Sequence, residues 1–350
     1  MIAKESIFNS KENNMSVKIG LIGTGRAGMV HGRNFVFSVP DAALVALCDP
    51  NETSRNEAAA ELGIANTFSD YRDLLAFPGL DAVVIVTPTR LHCQMALDAA
   101  AAGKHILCEK PMAMTPGECD AMIAAADSAG VKLQIGFMRR FAPAFRELKE
   151  RVARGQVGDV VSVRSLTYGP SVPQPWMYDL AVSNGPLAEV NSHDIDTARW
   201  ITGSDITEVF AIGGNFRSPD ARADFPDFYD NVTLVAKFAN GMQGTISGAQ
   251  GVKYGYDSRL EVLGTKGILF AGSLKSTAVT ACTEEGISSP VIKSWRDLFA
   301  DAYLNEDIAF VRCIREDTPP EITGLDGKRA VQVVNAGNES IRTGLPVKIL

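Results

Sequence analysis

The chain has 350 residues, 46% of them hydrophobic and 21% charged, which is the composition of a folded protein of about two domains and excludes a mainly disordered chain. Its 34 basic and 41 acidic residues give a net charge of −7, so we expect no nucleic-acid partner. Its six cysteines form no CxxC pair and no apolar run approaches the ~18 residues of a membrane span, so we expect no metal site, no membrane partner and a cytoplasmic location.

The first part of the chain alternates short apolar runs with longer amphipathic segments. Residues 1–15 are mostly polar, and we predict that they form a disordered extension. From residue 16 to 137 the alternation is typical of a doubly wound parallel sheet with crossover helices, an α/β arrangement. Five apolar runs are predicted strands: Val17–Ile22, Ala43–Cys48, Ala82–Val86, His105–Cys108 and Lys132–Ile135.

The first predicted strand runs into a GxGxxG sequence that opens a helix. Its members are Gly23, Thr24, Gly25, Arg26, Ala27 and Gly28. By itself the string also fits an ordinary tight turn, but Asp49 follows the second strand at the spacing of about 20 residues typical of dinucleotide-binding domains. Glycines let the backbone approach a pyrophosphate, and a carboxylate accepts hydrogen bonds from ribose hydroxyls but repels a 2′-phosphate. Residues 16–137 are therefore predicted to form a Rossmann domain that binds NAD, with NADP as the alternative.

The fifth predicted strand is followed by Glu109, Lys110 and Pro111. The carboxyl ends of parallel strands face the ligand crevice of such a sheet, so we expect Lys110 where the nicotinamide and a substrate meet. An ammonium group there can hydrogen-bond a substrate hydroxyl. The alternative is a solvated loop lysine held by Glu109.

Residues 138–350 carry longer alternating segments, which predict an α+β domain with a large, mainly antiparallel sheet for substrate binding and oligomerisation. The predicted strands are Val160–Tyr168, Ile206–Phe216, Asn231–Phe238, Gly244–Ala249, Arg259–Leu263 and Gly267–Phe270, and the predicted helices are His193–Thr202, Asp301–Arg315 and Leu325–Thr343. The Asn240-Gly241 pair predicts a hairpin turn between two of these strands.

A cluster of chemically active residue types lies around residue 190. Of the four histidines, only His193 lies in the second half of the chain, and an imidazole has a suitable pKa for a general base near neutrality. Glu189 precedes it by one helical turn, so the two side chains are predicted to share a helix face. The alternative for His193 is a capping or core histidine. Asp194 and Asp196 are interpreted as first-turn acids, one of them paired with Arg199.

Five segments together are specific to one family. They are GTGRAG at 23–28, Thr87-Pro88-Thr89 with His92, Glu109-Lys110-Pro111, GFMRRF at 136–141 and His193-Asp194-Ile195-Asp196. This series resembles the Gfo/Idh/MocA family of sugar and polyol dehydrogenases from about Ser16 to the C-terminus, and most strongly its inositol 2-dehydrogenase group. The resemblance implies NAD-dependent oxidation of a secondary hydroxyl of a small cyclic polyol or sugar.

The resemblance also implies roles for individual residues. Lys110 matches the lysine that orients the reacting hydroxyl, and His193 matches the general base that takes its proton as hydride leaves for nicotinamide C4. Cofactor contacts are also implied for Thr87, Pro88, His92, Glu109 and Lys110, and substrate contacts for Lys110, Arg139, Asp179, Asn191, His193 and Tyr256. Glu189 is also assigned to the catalytic residues. It stands where the inositol 2-dehydrogenase group commonly has aspartate, and this difference is expected to affect which polyol is bound.

The rim of the substrate site is predicted from its aromatic residues. Tyr254 and Tyr256 are expected to alternate along one strand and therefore to point to the same face. The proline-rich segment 169–179 is expected to form a loop over the cleft. Trp176 in that loop either stacks on a sugar ring or anchors the loop.

Two other functions fit the same residues. One is oxidation of a ring carbon of a glycoside or pyranose, or a glycosidase that oxidises its substrate transiently with NAD. The other is a non-catalytic NAD(P)-sensing regulator, which the presence of both Lys110 and His193 disfavours. Val232, Leu234 and Ile246 suggest an uncovered apolar sheet face, so we expect a homo-oligomer formed sheet to sheet; the family resemblance implies dimers or tetramers.

Overall fold

The computed structural model describes residues 16–349, so the extension predicted for residues 1–15 lies outside the described residues. Its first sheet has six parallel strands in the order β3-β2-β1-β4-β5-β6. The strands are β1 (Val17–Ile22), β2 (Ala42–Cys48), β3 (Thr67–Phe68), β4 (Ala82–Ile85), β5 (His105–Glu109) and β6 (Leu133–Gly136), and the helices are α1 (Gly28–Phe37), α2 (Glu52–Leu62), α3 (Tyr71–Leu75), α4 (His92–Ala101) and α5 (Pro116–Ala129). The predicted doubly wound sheet is confirmed; the two-residue β3 was not predicted.

Local sequence signals account for the ends of several of these helices. The Asn51 side chain accepts a hydrogen bond from the Ser54 backbone N–H and so caps the start of α2. Thr115 and Glu118 form a capping box at the start of α5. Gly63 and Gly130 end these two helices at φ of +69° and +66°, a conformation that glycine adopts without steric cost.

The second sheet has seven strands in the order β12-β11-β7-β10-β9-β8-β15, antiparallel except for the β10–β7 pair. Its strands are β7 (Val160–Gly169), β8 (Ile206–Gly214), β9 (Asn231–Phe238), β10 (Gln243–Gln250), β11 (Asp257–Gly264), β12 (Ile268–Ala271) and β15 (Val347–Lys348), while β13 (Ala281–Thr283) and β14 (Gly286–Ser288) form a separate hairpin. The helices are α6 (Pro143–Ala153), α7 (Leu180–Ser183), α8 (Gly185–Glu189), α9 (Ser192–Thr202), α10 (Trp295–Leu298), α11 (Ala300–Arg315) and α12 (Gly324–Thr343). The predicted α+β domain is confirmed, and its hairpin turn lies at Asn240-Gly241 between β9 and β10.

The face of the second sheet that the helices cover is the face that the sequence suggested was open. Val232, Leu234 and Ile246 are at most 1% exposed, and Leu234 lies against Gly337 of α12. The prediction that these three residues form an uncovered face was therefore wrong, because strand alternation separates two faces without saying which one the helices cover.

The C-terminal part of the chain returns to the first sheet. Phe310, Val311 and Cys313 of α11 are buried in one cluster with Val17 and Ile19 of β1. Residues assigned from sequence to the second domain thus complete the core of the first. Within residues 16–349, no helix combines the length and the apolar character needed to cross a membrane.

Candidate active site

A cleft of about 380 Å³ lies where the ends of β1, β4 and β5 meet the second sheet. This volume is within the range typical of small-molecule sites. The first domain lines it with Gly25, Arg26, Ala27, Thr87, Pro88, Thr89, Glu109 and Lys110, and the rest of the chain with Thr167, Trp176, Glu189, His193, Gln250, Tyr256 and Tyr303, among others. The cleft therefore brings the glycine turn, Lys110 and His193 to one place.

The glycine turn is shaped to bring backbone close to a ligand. A Cβ on Gly28 would lie 2.0 Å from the Gly23 carbonyl oxygen, and one on Gly23 would lie 2.3 Å from that of Val86. Around Gly25, by contrast, no atom of the described residues comes within 4 Å of a Cβ position, so its backbone faces open space. Gly25, Arg26 and Ala27 line the cleft directly before α1 begins, and a glycine turn at the N-terminus of a helix fits the pyrophosphate of a dinucleotide.

Asp49 fastens this turn to the end of β2. Its Oδ2 accepts hydrogen bonds from the Thr24 backbone N–H at 2.9 Å and from the Thr24 hydroxyl at 3.0 Å. Its Oδ1 accepts one from the Asn51 N–H at 2.9 Å. Gly23, Thr24, Gly28 and Asp49 lie beside the cleft rather than in its lining. The carboxylate is therefore held at the strand end where a ribose would lie, and it also orders the turn.

Two variants of Asp49 distinguish the effect of its negative charge from the effect of its hydrogen bonds to Thr24. Asp49→Ser is expected to raise the ratio of kcat/KM with NADP to kcat/KM with NAD, because the carboxylate no longer repels a 2′-phosphate. Asp49→Asn is the matched control, since its amide oxygen can still accept from Thr24. Both variants should move the ratio in the same direction. An unchanged ratio in both would contradict a cofactor-selecting role for Asp49.

His92 holds two of the cleft loops from behind. Its Nδ1 lies 2.8 Å from the Pro111 carbonyl oxygen and its Nε2 lies 2.8 Å from that of Thr87. The ring is 1% exposed and is not part of the cleft lining. His92 was assigned to the cofactor from the family resemblance. In the structure it ties the loop after β4 to the loop after β5, so it orders both without facing the ligand space.

Lys110 projects into the cleft from the end of β5. Its Nζ donates a hydrogen bond to the backbone carbonyl oxygen of Glu189 at 3.0 Å, and its own N–H donates to Glu109 Oε2 at 2.9 Å. The alternative was a solvated loop lysine held by Glu109. Glu109 does bind the Lys110 backbone N–H, but Lys110 is only partly exposed and its Nζ binds the second domain. An ammonium fixed in this way retains further N–H groups for a ligand oxygen.

His193 lies in the first turn of α9 and is 6% exposed. Within the described part of the chain, its Nδ1 has no hydrogen-bond partner, and the ring packs edge-on against Phe137 with centroids 6.0 Å apart. Burial, followed by the positive charges of Lys110 and Arg139, holds the pKa of His193 well below the usual value of 6.5. The ring is therefore neutral at neutral pH and able to accept a proton.

Glu189 and His193 line the same cleft from different helices. Glu189 ends α8, and Val190 and Asn191 separate it from α9, so the prediction of one continuous helix face was wrong. Burial raises the pKa of the Glu189 carboxyl, and the positive charge of Lys110 offsets this increase only in part. It is the backbone carbonyl of Glu189, and not its carboxyl group, that accepts the hydrogen bond from Lys110, and Glu189 belongs to the cleft lining.

Arg139 and Asn191, predicted to bind substrate, lie behind the cleft wall. Arg139 donates to Asp194 at 2.9 Å and to Thr167 at 2.6 Å, and Asn191 donates to Asp194 at 2.9 Å. Both are at most 1% exposed, and neither belongs to the lining. Both side chains donate to the buried carboxylate of Asp194, while Arg139 Nε and Asn191 Oδ1 have no hydrogen-bond partner among the described residues. A contact with substrate stays a prediction for both residues.

Two further residues have contacts that the sequence did not predict. Asp179 accepts a hydrogen bond from the Ala181 N–H and caps α7; it lies outside the cleft lining, and its contact with substrate stays a prediction. Arg199 pairs with Asp205 at 2.9 Å rather than with either predicted aspartate. Those aspartates are Asp194, bound by Arg139, and Asp196, bound by Arg140 at 2.6 Å.

The aromatic lining differs in part from the prediction. Tyr256 lies in the loop before β11 and lines the cleft, whereas Tyr254 is 44% exposed and bonds Asp257, so the two do not share a strand face. Tyr303 and Gln250 line the cleft and were not predicted. Trp176 reaches the cleft from the predicted loop and is 41% exposed.

Comparison with known proteins places this geometry in a family. Residues 17–137 match the model described as the oxidoreductase family with an NAD-binding Rossmann fold, and residues 145–270 match the GFO/IDH/MocA C-terminal domain. A scyllo-inositol 2-dehydrogenase (NAD(+)) of Bacillus subtilis is 34% identical over 336 residues, 95% of this chain and 96% of that protein. The chain belongs to the Gfo/Idh/MocA oxidoreductase family.

Other Gfo/Idh/MocA proteins match over a similar extent. A myo-inositol 2-dehydrogenase of Thermotoga maritima is 34% identical, over 95% of this chain and 98% of that protein. The crystal structure of scyllo-inositol dehydrogenase from Lactobacillus casei with bound NAD(H) and scyllo-inositol superposes with a TM-score of 0.87 at 29% identity, covering 95% of this chain and 99% of that chain. The sequence resemblance to this family is thus confirmed, and the chain is an oxidoreductase with an NAD-binding domain.

Proposed function

We propose that this protein oxidises a secondary hydroxyl of a cyclic polyol with NAD, and that its substrate is myo-inositol or a stereoisomer of it. The observation that carries the proposal is one cleft lined by a glycine turn, a lysine ammonium and a neutral histidine. The names of the relatives support the same substrate class, since they include scyllo-inositol and myo-inositol 2-dehydrogenases.

The residues of the cleft divide the chemistry between them. When bound, NAD supplies the acceptor for the hydride that leaves the carbinol carbon. Lys110 donates a hydrogen bond to the reacting hydroxyl oxygen and stabilises the negative charge that develops on it. His193 accepts the hydroxyl proton, which makes departure of the hydride from the same carbon easier. Asp49 and the glycine turn bind the cofactor and do not take part in proton transfer.

The remaining lining suits a neutral, hydroxyl-rich ligand. Gln250, Tyr256 and Tyr303 place amide and hydroxyl groups at its wall. Among the described residues, the buried Oε1 of Gln250 has no hydrogen-bond partner, and a buried acceptor left unpaired is costly. Hydroxyl groups of a bound polyol would supply the missing donor, with Glu189 as a further partner. We therefore assign polyol recognition to these residues.

A substrate panel separates this function from its alternatives. The purified protein is incubated with NAD and, in turn, with inositol isomers, hexoses and aryl glycosides, while NADH and released aglycone are followed. NADH is expected with an inositol. NADH only with glycosides or pyranoses, or aglycone release without net NADH, would favour the glycoside reading. NAD binding with no turnover on any member would favour a regulator.

We also propose that two copies associate through the uncovered face of the second sheet. Ile212, Val235 and Phe270 on that face are 64%, 48% and 69% exposed, and they lie on β8, β9 and β12. Isolated exposed apolar residues are common, but several on one open sheet face mark an interaction surface. A second copy presenting the same face would cover them, and a dimer or tetramer would result.

Sedimentation of designed variants tests this association. The wild-type protein is expected to sediment as a dimer or tetramer at micromolar concentration. Ile212→Glu combined with Val235→Glu should reduce the assembly, because it places charges in the buried interface. Phe37→Glu is the control, since Phe37 is 69% exposed on the first domain. A monomeric wild type, or equal assembly in all variants, would contradict the proposal.

We place the protein in the cytoplasm. The six cysteines are free in the structure, which is usual in reducing compartments. Fractionation of cells that produce the protein, followed by immunodetection, tests this location.

A further inference from the structure

A buried histidine outside the cleft lies between two carboxylates. His31 of α1 is 0% exposed, and its Nδ1 lies 2.7 Å from Asp307 Oδ1 while its Nε2 lies 3.2 Å from Glu109 Oε1. A neutral imidazole has one N–H and can donate to only one acceptor, whereas an imidazolium donates to both. The geometry therefore favours a charged His31 ring with a carboxylate at each nitrogen.

A third carboxyl group, that of Glu306, lies beside His31 and Glu109 and has no ion-pair partner of its own among the described residues. Glu306 is 0% exposed, and its carboxylate lies within 4.8 Å of the nearest polar atoms of His31 and Glu109. Neither of its oxygens has a hydrogen-bond partner among residues 16–349. An isolated carboxylate in such surroundings takes up a proton rather than remaining charged. Burial, reinforced by Glu109, raises the pKa of Glu306 well above its usual value.

The protonation states that follow give a balanced group of charges. With Glu306 neutral, the positive charges of His31 and Lys110 match the negative charges of Glu109 and Asp307. Burial alone would lower the pKa of His31, but Asp307 and then Glu109 raise it well above 6.5. Burial likewise opposes ionisation of Glu109, yet the hydrogen bond and charge of His31 bring its pKa below the usual value.

Glu109 connects this group to the cleft. Its Oε1 contacts His31, and its Oε2 accepts the backbone N–H of Lys110. A Cβ on Gly136 would come within 3.1 Å of the Cα and Cδ of Glu109, so the strand beside it leaves the side chain little room to shift. Tyr303, which lines the cleft, packs edge-on against the His31 ring with centroids 5.4 Å apart.

We propose that His31 is a positioning residue for the oxidation: as an imidazolium between Asp307 and Glu109, it holds the Glu109 carboxylate in place and thereby fixes Lys110 in the cleft. This role rests on the proposed function, since it acts through Lys110. Glu306 contributes by staying neutral, which leaves the charge of His31 available to Glu109. His31, Glu109 and Glu306 are not required to exchange a proton with the substrate.

The charge of His31 is measured on the wild-type protein by nitrogen-15 NMR of its histidine rings at neutral pH. An imidazolium signal is expected, and it should disappear in His31→Gln. If all four rings are neutral, the proposal is overturned whether or not any variant folds. Metal analysis of the purified protein should find no stoichiometric cation; a divalent ion held by His31, Glu109 and Glu306 would also overturn it, because a metal would then balance the carboxylates.

Kinetics test whether the charge acts through Glu109. His31→Gln is expected to lower kcat on the inositol substrate between about tenfold and a hundredfold, the scale of a misplaced catalytic group, with the NAD dissociation constant within about twofold of wild type. Glu109→Gln should have a similar effect, and the double variant should lose no more than either single one. Additive losses, or an unchanged kcat in His31→Gln, would overturn the positioning role.

A matched control variant and the activity of the wild-type protein distinguish failure of the positioning role from failure of the proposed function. His105→Gln removes a partly buried imidazole that accepts a hydrogen bond from Lys132 outside the cleft, and its kcat should stay within about twofold of wild type. If the wild-type protein oxidises no inositol, the proposed function fails while the NMR measurement still decides the charge of His31. If wild type is active but His31 is neutral, only the positioning role fails.

Discussion

Replacing His193 with alanine is expected to lower kcat for inositol oxidation by ~10²-fold or more, the usual scale for loss of a general base. The ring is neutral, nearly buried and part of the cleft lining. An alanine at this position has no side-chain group that accepts the hydroxyl proton. NAD affinity should change little, because the glycine turn and Asp49 do not contact His193. Steady-state kinetics and NAD titration measure the two effects separately.

The pH dependence gives a second view of the same residue. His193 acts in its neutral form, and its pKa lies well below 6.5, so wild-type activity should persist as pH falls through the usual histidine range and be lost only below it. His105→Ala, which removes an imidazole outside the cleft, serves as the control and should keep both kcat and profile. Unchanged turnover in His193→Ala would remove His193 from the mechanism.

Replacing Lys110 with methionine is expected to lower kcat by about 10²-fold, as loss of one donor to a developing oxyanion typically does. Methionine keeps much of the side-chain length but cannot donate to the hydroxyl oxygen or to the Glu189 carbonyl. Because the charge of Lys110 also lowers the pKa of His193, the acid limb of the residual activity should move to higher pH. The pH profile of kcat measures this shift.

Lys104 provides a matched control for Lys110. Its Nζ also donates to a backbone carbonyl, that of Leu80 at 2.8 Å, but it lies outside the cleft lining. Lys104→Met should therefore keep kcat within about twofold of wild type and leave the acid limb in place. Equal losses in both variants would mean that lysine-to-carbonyl bonds support only the fold, and Lys110 would lose its assigned role.

The sequence was sufficient for features that are local in the chain. The glycine turn, Asp49 and Lys110 each sit at the end of a strand whose apolar run is visible on its own, and a parallel sheet brings such strand ends to one edge. His193 was predictable because it is the only histidine beyond residue 105. The three strand-end positions depend on a short-range pattern plus a known topology, and the structure places the glycine turn, Asp49 and Lys110 at the carboxyl ends of strands of the first sheet.

Other parts of the site depend on contacts that no local pattern encodes. Tyr303 reaches the cleft from α11, a helix that returns from the second domain to the first sheet. Arg139 and Asn191 have side chains suited to binding a polyol, but both donate to the buried carboxylate of Asp194 and lie outside the cleft lining. A sequence shows the polar group, whereas only the folded chain shows whether a protein partner already satisfies it.

The exposed sheet face illustrates the same limit in the fold. Alternation along β9 identifies two faces, with Val232 and Leu234 on one and Val235 on the other. Which face the helices cover depends on contacts between residues distant in the chain, such as that of Leu234 with Gly337 of α12. The alternation along the strand was therefore predictable, while the direction of the core was not.

Transfer of deuterium from substrate to cofactor tests the central claim most directly. Inositol labelled with deuterium at the reacting carbinol carbon is incubated with the protein and NAD, and the reduced cofactor is analysed by mass spectrometry. The account predicts one deuterium in the nicotinamide ring of the NADH formed, with its transfer strongly impaired in His193→Ala. Reduced cofactor without deuterium, or no reduction of NAD by any inositol isomer, would contradict hydride transfer from a polyol carbon in this cleft.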